Sequence, residues 1–562
     1  MGLFRRKHSI SHEEYDMDSN KPTNQQNENM GQYTSDNSSA INQIGKSPEE
    51  GNSFNEEKGG LGDQSLWQLR AVIILLVANT FTGFLFGWDT GTIGGITNMD
   101  GFKKNFAPYN ASTDTYEFST ITQGLIISLF NVGCAVGSYI LSKMGDWKGR
   151  RFAIFVSMII YIIGCVVQMA SAPSKKWYQY MIGRIITGLA VGATSVLTPM
   201  FISESSPLKI RGAMVCVYQL MNTLGILFGN VADFGCKTYH PGTNAEWLIP
   251  IGLGYVWAAL AILGTAMMPE SPFYLAFKND KQGAINSVAK LNRLPNDDPA
   301  VLHEVNDFMA KSDAMKEETE NVSWHEFLTG HPMLGWRLCI GMFIMAMQQL
   351  SGANYFFYYG TSLFTSVGLQ DTYITSIILA TVNCAPTFFS AYLVERFGRK
   401  QCLMAGSIGM MTCMYIYASV GGFGLYDSNG EASYSAGCAM IVFSCFSIVG
   451  FATTWGPVAY VMVSELYPIR VRGTSMALAT ACNWIWNFLI SLFTPLITKA
   501  IGFKFGYVFA GCLTAAIFIV YMFVPETKGL TSKQIDDIYA EGHIFQYKKH
   551  AKPIESDEEV EA

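Results

Sequence analysis

Four carboxamide side chains lie deep inside long apolar stretches of the chain, where polar groups are costly unless they have partners. A helix rises about 1.5 Å per residue, so the bilayer middle lies about ten residues into a membrane-crossing helix. Gln348 and Asn383 stand about that far into their stretches, Asn483 is slightly shallower, and Gln219 is shallower still. Amides donate and accept hydrogen bonds, as a neutral polyol needs. Hydrogen bonding between helices is the alternative use of each amide.

Asp89 and Arg184 are charged residues inside two other apolar stretches, at similar depth below the same face. An ion pair between them would keep both charged in a membrane. All eight histidines fall outside the apolar stretches. We therefore expect no histidine proton relay and no intramembrane histidine metal site.

Twelve apolar stretches must position these residues. Hydrophobic residues make up 49% of the 562 residues and charged residues 15%, against about 25% charged in a soluble domain. Each stretch approaches the roughly 20 residues that a bilayer-crossing helix needs. They are 72–93, 121–141, 152–170, 181–202, 214–231, 247–268, 338–364, 374–394, 403–422, 439–463, 476–497 and 507–524. The sequence predicts an all-α membrane protein with 12 transmembrane helices.

The two halves of the chain repeat each other. Ser203-Glu204-x-x-Pro207-x-x-x-Arg211-Gly212 recurs 261 residues later as Ser464-Glu465-x-x-Pro468-x-x-x-Arg472-Gly473. Gly149-Arg150-Arg151 likewise recurs as Gly398-Arg399-Lys400. Duplicated sets of helices are typical of alternating-access transporters, which bind substrate between the repeats near the bilayer middle.

Longer motifs carry a family resemblance. They are Gly83-Phe84-Leu85-Phe86-Gly87-Trp88-Asp89-Thr90-Gly91, Gln348-Gln349-Leu350-Ser351-Gly352-Ala353-Asn354-Tyr355-Phe356-Phe357-Tyr358-Tyr359-Gly360, Pro269-Glu270-Ser271-Pro272 and Pro525-Glu526-Thr527-Lys528-Gly529. Over about residues 68–545 the chain resembles the sugar porter family of the major facilitator superfamily, in particular its fungal hexose transporters. The resemblance implies two six-helix halves, short cytoplasmic helices between them, and hexose transport by alternating access.

The resemblance also assigns roles to residues. The matching sugar-site residues are Gln219, Gln348, Gln349, Asn354, Asn383, Asn483 and Trp484, with Phe86 nearby and Tyr460 at a position often held by Trp. Trp455 is a further candidate, and the Gly456-Pro457 that follows it should break the tenth helix. In proton-coupled relatives the residue matching Asp89 takes the proton and the one matching Arg184 is its partner. An inner-face charge network is implied for Asp146, Arg150, Glu204, Arg211, Glu395, Arg399, Glu465 and Arg472.

Three positions depart from the family pattern. The Asp146-Trp147-Lys148-Gly149 segment has Trp and Lys in place of the usual Arg-Trp order, and Phe273 and Leu248 replace expected arginines. We expect these changes to affect inner-face salt bridges and the inward gate rather than the class of substrate.

Domain boundaries follow from the polar segments. We predict a disordered cytoplasmic tail at 1–66, six-helix halves at 67–272 and 336–527, a helical cytoplasmic linker at 273–335 and a cytoplasmic tail at 528–562. The distribution of Lys and Arg near the helix ends favours both termini inside a plasma membrane. Asn110 then falls in an outer loop, where Asn110-Ala111-Ser112 is a candidate glycosylation site.

Other functions lack support in the sequence. A net charge of −6 implies no nucleic-acid partner, and the chain contains neither a GK[ST] phosphate loop for ATP nor a Gly-x-Ser-x-Gly motif. We expect no enzyme activity, cofactor or metal, and read the 12 cysteines as packing residues.

The expected partners are a monosaccharide and the lipid bilayer. A proton-coupled symporter using Asp89, a non-transporting glucose sensor and a pentose or polyol carrier remain alternatives to a facilitator.

Overall fold

The computed structural model describes residues 70–111, 114–206, 208–319, 330–365, 372–425, 433–468, 471–530 and 532–540. The predicted N-terminal tail and the last 22 residues of the C-terminal tail lie outside this part of the chain. So do Ser112 of the glycosylation motif and the side chain of Arg211.

Each of the twelve predicted apolar stretches forms a helix or a pair of consecutive helices. They are TM1 (Arg70–Asn79 and Phe81–Ile96), TM2 (Thr120–Val136 with the π-helical turn Gly137–Leu141), TM3 (Arg150–Met169), TM4 (Trp177–Ser205), TM5 (Leu208–Tyr239), TM6 (Ala245–Met267), TM7 (Leu334–Leu350 and Ala353–Thr365), TM8 (Thr372–Phe397), TM9 (Arg399–Ser419 with Val420–Gly424), TM10 (Tyr434–Thr453 and Trp455–Leu466), TM11 (Arg472–Ile501) and TM12 (Gly506–Phe523). Among the described residues, nine continuous helical segments are long and apolar enough to cross a bilayer, and one of them, Arg472–Phe523, contains both TM11 and TM12.

Short elements join these helices. The face on which TM1 begins is called proximal here, and the face on which TM1 ends is called distal. The proximal face carries the helices Lys143–Lys148, Pro272–Phe277, Lys281–Asn292, Pro299–Thr319 and Ser532–Ala540. After TM1, the distal face carries the helix Asp100–Phe106 and an antiparallel pair of two-residue strands, Tyr109–Asn110 and Thr115–Tyr116.

Glycine allows TM1 to pack directly against TM5. A Cβ atom on Gly87 would lie 1.9 Å from the backbone oxygen of Asn222, so only glycine permits this approach. Small residues that bring backbones together are the usual way in which membrane helices gain packing energy. The close contact fixes where TM1 presents Phe86 and Asp89.

The two halves meet along three helix pairs. TM2 packs on TM11, TM5 on TM8, and the second helix of TM7 on TM1. Buried hydrogen bonds cross this boundary, from Asn131 Nδ2 to Ser491 Oγ at 3.1 Å and from the Tyr373 hydroxyl to the Gly95 oxygen at 3.0 Å. The Tyr373 bond lies near the distal ends of TM1 and TM8. The halves are therefore in close contact on the distal side.

Candidate functional site

TM7 and TM11 bring four of the predicted sugar-site amides into one hydrogen-bonded cluster, called the amide cluster here: Gln348, Gln349, Asn354 and Asn483. Asn483 Nδ2 donates to Gln348 Oε1 at 2.7 Å, and Gln349 Nε2 donates to Asn483 Oδ1 at 2.8 Å. Asn354 Nδ2 donates to Gln349 Oε1 at 2.5 Å. Consecutive Gln348 and Gln349 both reach TM11 because the first TM7 helix ends just beyond them. The helix is interrupted at Gly352, where φ is +87°, and Asn354 in the first turn of the second TM7 helix joins the same cluster.

Gln348 also connects the cluster to TM10. Its Nε2 donates to the backbone oxygens of Trp455 and Gly456, at 3.1 and 2.9 Å. TM10 is interrupted at Thr454, where φ is −128° and ψ is −85°, three residues before Pro457. The sequence prediction of a break here is confirmed. The break in TM10 is therefore hydrogen-bonded to the amide cluster through Gln348.

Trp484 and Phe86 place aromatic faces beside the cluster and across the boundary between the halves. Phe86 of TM1 meets Trp484 of TM11 edge to face, with ring centroids 5.2 Å apart. The Trp484 ring is buried, yet its Nε1 has no hydrogen-bond partner among the described residues. An indole N–H left unpaired in a polar region is available to a ligand oxygen.

The remaining predicted sugar-site residues are placed differently. Asn383 is buried in TM8, and its Oδ1 has no partner in the described part of the chain. Gln219 and Tyr460 are half-buried. The Trp455 ring turns away from the amides, because its Nε1 donates to Ser407 Oγ of TM9 at 2.8 Å. Only the Trp455 backbone oxygen belongs to the cluster.

Asp89 and Arg184 form a buried ion pair inside the N-terminal half. Arg184 Nη1 lies 2.9 Å from Asp89 Oδ1, and the guanidinium lies over the Phe130 ring at 4.4 Å. Tyr161 of TM3 also interacts with Asp89. A cavity surrounds the pair, lined by Trp88, Asp89, Thr92, Ile93, Ile96, Tyr161, Cys165, Gln168, Tyr180, Arg184 and Ile251. The ion pair therefore occupies a polar cavity separate from the amide cluster.

Charged residues on the proximal face of the first half form a network around Arg150. Its guanidinium contacts Glu204 at 3.1 Å and Asp146 at 3.0 Å. Glu270 accepts hydrogen bonds from the backbone N–H groups of Arg150 and Arg151, the free donors at the start of TM3. Ser271 Oγ donates to Glu204 at 2.5 Å.

The second half repeats the network group by group. Arg399 contacts Glu465 at 2.9 Å and Glu395 at 3.4 Å. Glu526 accepts from the N–H groups of Arg399 and Lys400, and Thr527 Oγ1 donates to Glu465. Arg472 Nε instead donates to the Tyr467 oxygen at 3.3 Å. Of the ion pairs found in the described residues, Arg337–Asp536 joins the second half to the helix Ser532–Ala540, and each of the others lies within one half or within the linker.

The structure shows the contacts made at two of the positions that depart from the family pattern. Phe273 packs edge to face on Phe308 of the linker helix Pro299–Thr319. Lys148 lies over the exposed ring of Trp147 at 4.6 Å. Tyr274, next to Phe273, donates its hydroxyl to the Trp147 oxygen, and burial raises the pKa of this phenol. The Tyr274 hydroxyl therefore stays a neutral donor at physiological pH.

Sequence reasoning missed several polar residues that the structure places in these networks or buries in the membrane. Glu270 and Glu526 were visible only as parts of repeated Pro-Glu motifs, and their use as helix caps requires the fold. Tyr161 gave no signal, because a tyrosine in an apolar stretch is usually a packing residue. Asp233, a buried carboxylate in TM5, was detectable as an acidic residue near the end of an apolar stretch.

A family model described as "Sugar (and other) transporter" matches residues 75–539. The chain is a member of this sugar transporter family. A low-affinity glucose transporter of Kluyveromyces lactis is 47% identical over 475 residues, which cover 84% of this chain and 83% of the relative. A high-affinity hexose transporter of Saccharomyces cerevisiae is 48% identical over 473 residues, covering 84% and 82%.

Solved structures of another transporter have the same fold. The proton:xylose symporter XylE, bound to 6-bromo-6-deoxy-D-glucose, aligns with a TM-score of 0.70 at 22% identity, over 85% of this chain and all of that chain. An inward-open structure of the xylose transporter XylE from E. coli aligns with a TM-score of 0.65, over 83% of this chain and 99% of that one. The chain is an all-α, multi-pass membrane protein with the 12-helix major facilitator fold.

Proposed function

We propose that the protein is a plasma-membrane carrier for glucose-type hexoses that works by alternating access as a facilitator. Both termini lie in the cytoplasm, so the distal face is the external one. The observation that supports this most is the amide cluster of TM7 and TM11, which lies beside the Phe86–Trp484 contact between the halves. The similar fungal proteins are glucose and hexose transporters, which supports a hexose as the substrate.

A sugar would bind to groups that the protein leaves unpaired. Trp484 Nε1 and Asn383 Oδ1 offer one donor and one acceptor from different helices. Gln219, Gln349, Asn354 and Tyr460 supply further polar groups, and the Phe86 and Trp484 rings suit the C–H face of a pyranose. Gln348 has both N–H groups committed to TM10, so it couples the sugar site to the break at Thr454 more than it binds sugar.

The halves would rock about this site. The proximal networks around Arg150 and Arg399 each remain inside one half, so rocking leaves their ion pairs intact. They hold the ends of TM2, TM3 and TM4, and of TM8, TM9 and TM10, as rigid blocks. We propose that the outward-open state is locked when the two blocks meet at the proximal face, with Asp146 and Glu395 as their exposed members.

A proton-coupled symporter is the second candidate, and the cavity around Asp89 and Arg184 favours it. Asp89 Oδ2 has no hydrogen-bond partner in the described part of the chain, so a proton could bind there without first breaking the ion pair at Oδ1. XylE, which has the same fold, is a proton:xylose symporter, and this supports the second candidate.

One experiment separates these functions. Labelled glucose, galactose, xylose and sorbitol are offered to transporter-null cells that express the protein, with and without a protonophore. A hexose facilitator equilibrates glucose without accumulating it and is insensitive to the protonophore. Accumulation that the protonophore abolishes indicates symport, preference for xylose or sorbitol indicates a different carrier, and surface protein without uptake contradicts transport. A mass shift after glycosidase treatment, lost in Asn110→Gln, tests the external loop.

A further inference from the structure

Asp233 is a buried carboxylate that the proposed transport site does not use. It lies in TM5 six residues before the distal end of the helix, or about 9 Å below it. The residue is 1% exposed, and neither side-chain oxygen has a hydrogen-bond partner in the part of the chain that the structure describes. A Cβ atom on Gly95 of TM1 would lie 2.1 Å from Asp233 Oδ2. The carboxyl is therefore pressed against a helix backbone that offers it no donor.

No cation neutralises this carboxyl among the described residues. On TM4, Arg184 is committed to Asp89, and the phenol of Tyr180 cannot supply a positive charge. On TM6, Glu246 accepts from the N–H groups of Gly101 and Gly242. The remaining titratable groups around this carboxyl are Cys236 and Lys237 on TM5 itself and Tyr373 on TM8, and exposed Asp100 in the adjoining distal helix acts on Tyr373. An ionised carboxylate buried without a partner is strongly unfavourable.

Among the described residues, Lys237 is the nearby cation that could pair either with Asp233 or with Tyr373. It stands four residues after Asp233, the spacing at which side chains on a helix meet. In this structure its Nζ lies instead over the Tyr373 ring, 4.4 Å from the centroid. The Tyr373 hydroxyl in turn donates to the Gly95 oxygen. TM8 thus covers TM1 and TM5 at their distal ends and holds Lys237 away from Asp233.

We propose that Asp233 is a proton-binding site of the distal gate, protonated while TM8 covers it and ionised beside Lys237 once TM8 moves away. This inference rests on the proposed transport cycle. The proton binds from the distal solution as the gate closes and returns to the same solution as it opens. Its net movement across the membrane is zero, which distinguishes this site from symport through Asp89.

The site makes gate closure depend on external pH. An exposed aspartate loses its proton above a pH of about 4. At higher external pH, closing the gate requires uptake of a proton, so the equilibrium constant for closure falls up to tenfold per pH unit. Glucose influx should therefore slow as external pH rises at constant internal pH.

The main test compares Asp233→Asn, which resembles the protonated carboxyl in shape, with Asp100→Asn, an exposed acidic residue on the same face. Labelled glucose influx is measured across a series of external pH values. Influx by Asp233→Asn should be independent of external pH, whereas Asp100→Asn should follow the wild-type profile. A flat wild-type profile, or an unchanged pH dependence in Asp233→Asn, would overturn the proposal.

Two further measurements test the protonation of Asp233 without transport and the role of Lys237. Infrared spectra of the purified full-length protein at neutral pH should contain a protonated-carboxyl band that Asp233→Asn removes and Asp100→Asn keeps. This band does not depend on transport. If it is present in a protein that moves no glucose, the proposed function is refuted and the proton site is not. If the band is absent, the proton site is refuted. Lys237→Gln alters an exposed side chain and removes the cation that pairs with ionised Asp233 in the open gate. Without that cation Asp233 keeps its proton to higher pH, so the midpoint of glucose influx against external pH should shift to higher pH. An unshifted midpoint contradicts the switch.

Discussion

Asn483 and Asn383 provide a matched pair of substitutions, because both are buried asparagines in the C-terminal half but their hydrogen bonds differ. Asn483 makes three with nitrogen or oxygen partners, to Gln348 Oε1 at 2.7 Å, from Gln349 Nε2 at 2.8 Å, and to the Met345 oxygen at 2.9 Å. Asn383 Oδ1 makes none with the described residues. The two substitutions to alanine therefore remove different things.

The magnitudes follow from those bonds. Hydrogen bonds between membrane helices contribute about 0.6 to 1 kcal/mol each, so Asn483→Ala should lower the free energy of unfolding by about 2–3 kcal/mol. Asn383→Ala removes an unpaired acceptor and should change it by less than about 1 kcal/mol. If a sugar hydroxyl donates to Asn383 Oδ1, losing that bond should raise the sugar dissociation constant about 3- to 10-fold.

Two assays on the same variants decide the matter. Thermal unfolding of purified protein measures stability, and glucose uptake per surface molecule gives the transport KM. We expect Asn483→Ala to unfold at lower temperature, and Asn383→Ala to keep its stability while its KM rises. If Asn383→Ala loses as much stability as Asn483→Ala and keeps the wild-type KM, unpaired buried groups do not mark the sugar site and the reasoning fails.

Three further predictions concern packing and charge. Gly87→Leu should prevent surface expression, because its Cβ would lie 1.9 Å from the Asn222 oxygen, while Gly511→Leu, with nothing within 4 Å of its Cβ, should be expressed normally on immunoblots. Asp89→Asn leaves the buried Arg184 guanidinium without its carboxylate and should cost about 3–5 kcal/mol of stability in thermal unfolding. Stability equal to wild type would argue against the ion pair. Asp536→Ala removes the 2.6 Å contact with buried Arg337, and should expose the Ser532–Ala540 helix to limited proteolysis. An unchanged digestion pattern would show that apolar contacts alone hold that helix.

The fold could be predicted because bilayer thickness limits what a chain of this composition can form. Twelve apolar stretches of about the right length leave little choice but twelve helices, and the repeated Ser-Glu-x-x-Pro motif groups them into two sets of six. The break in TM10 could also be predicted, because Pro457 cannot continue a regular helix. The division of TM7 at Gly352 depends on a backbone conformation that sequence alone does not announce.

The sugar site was predictable in composition but not in arrangement. Depth along a helix follows from counting residues, so Gln348 and Asn483 were expected at similar heights. Which way a side chain points depends on how neighbouring helices are rotated, and that is a property of packing. Trp455 illustrates the difference, because its ring turns to Ser407 of TM9 rather than to the amides.

The sequence by itself determined that this chain crosses a membrane twelve times as two related halves, because each apolar stretch must satisfy its backbone hydrogen bonds internally as a helix. It also determined which uncharged polar groups and charged groups lie inside the membrane. Only the tertiary structure decided which of them meet. Asp89 pairs with Arg184, four amides bond to one another, and Asp233 has no partner among the described residues. The reason is that close packing of glycine-rich helix faces sets the distances between side chains that are far apart in the sequence.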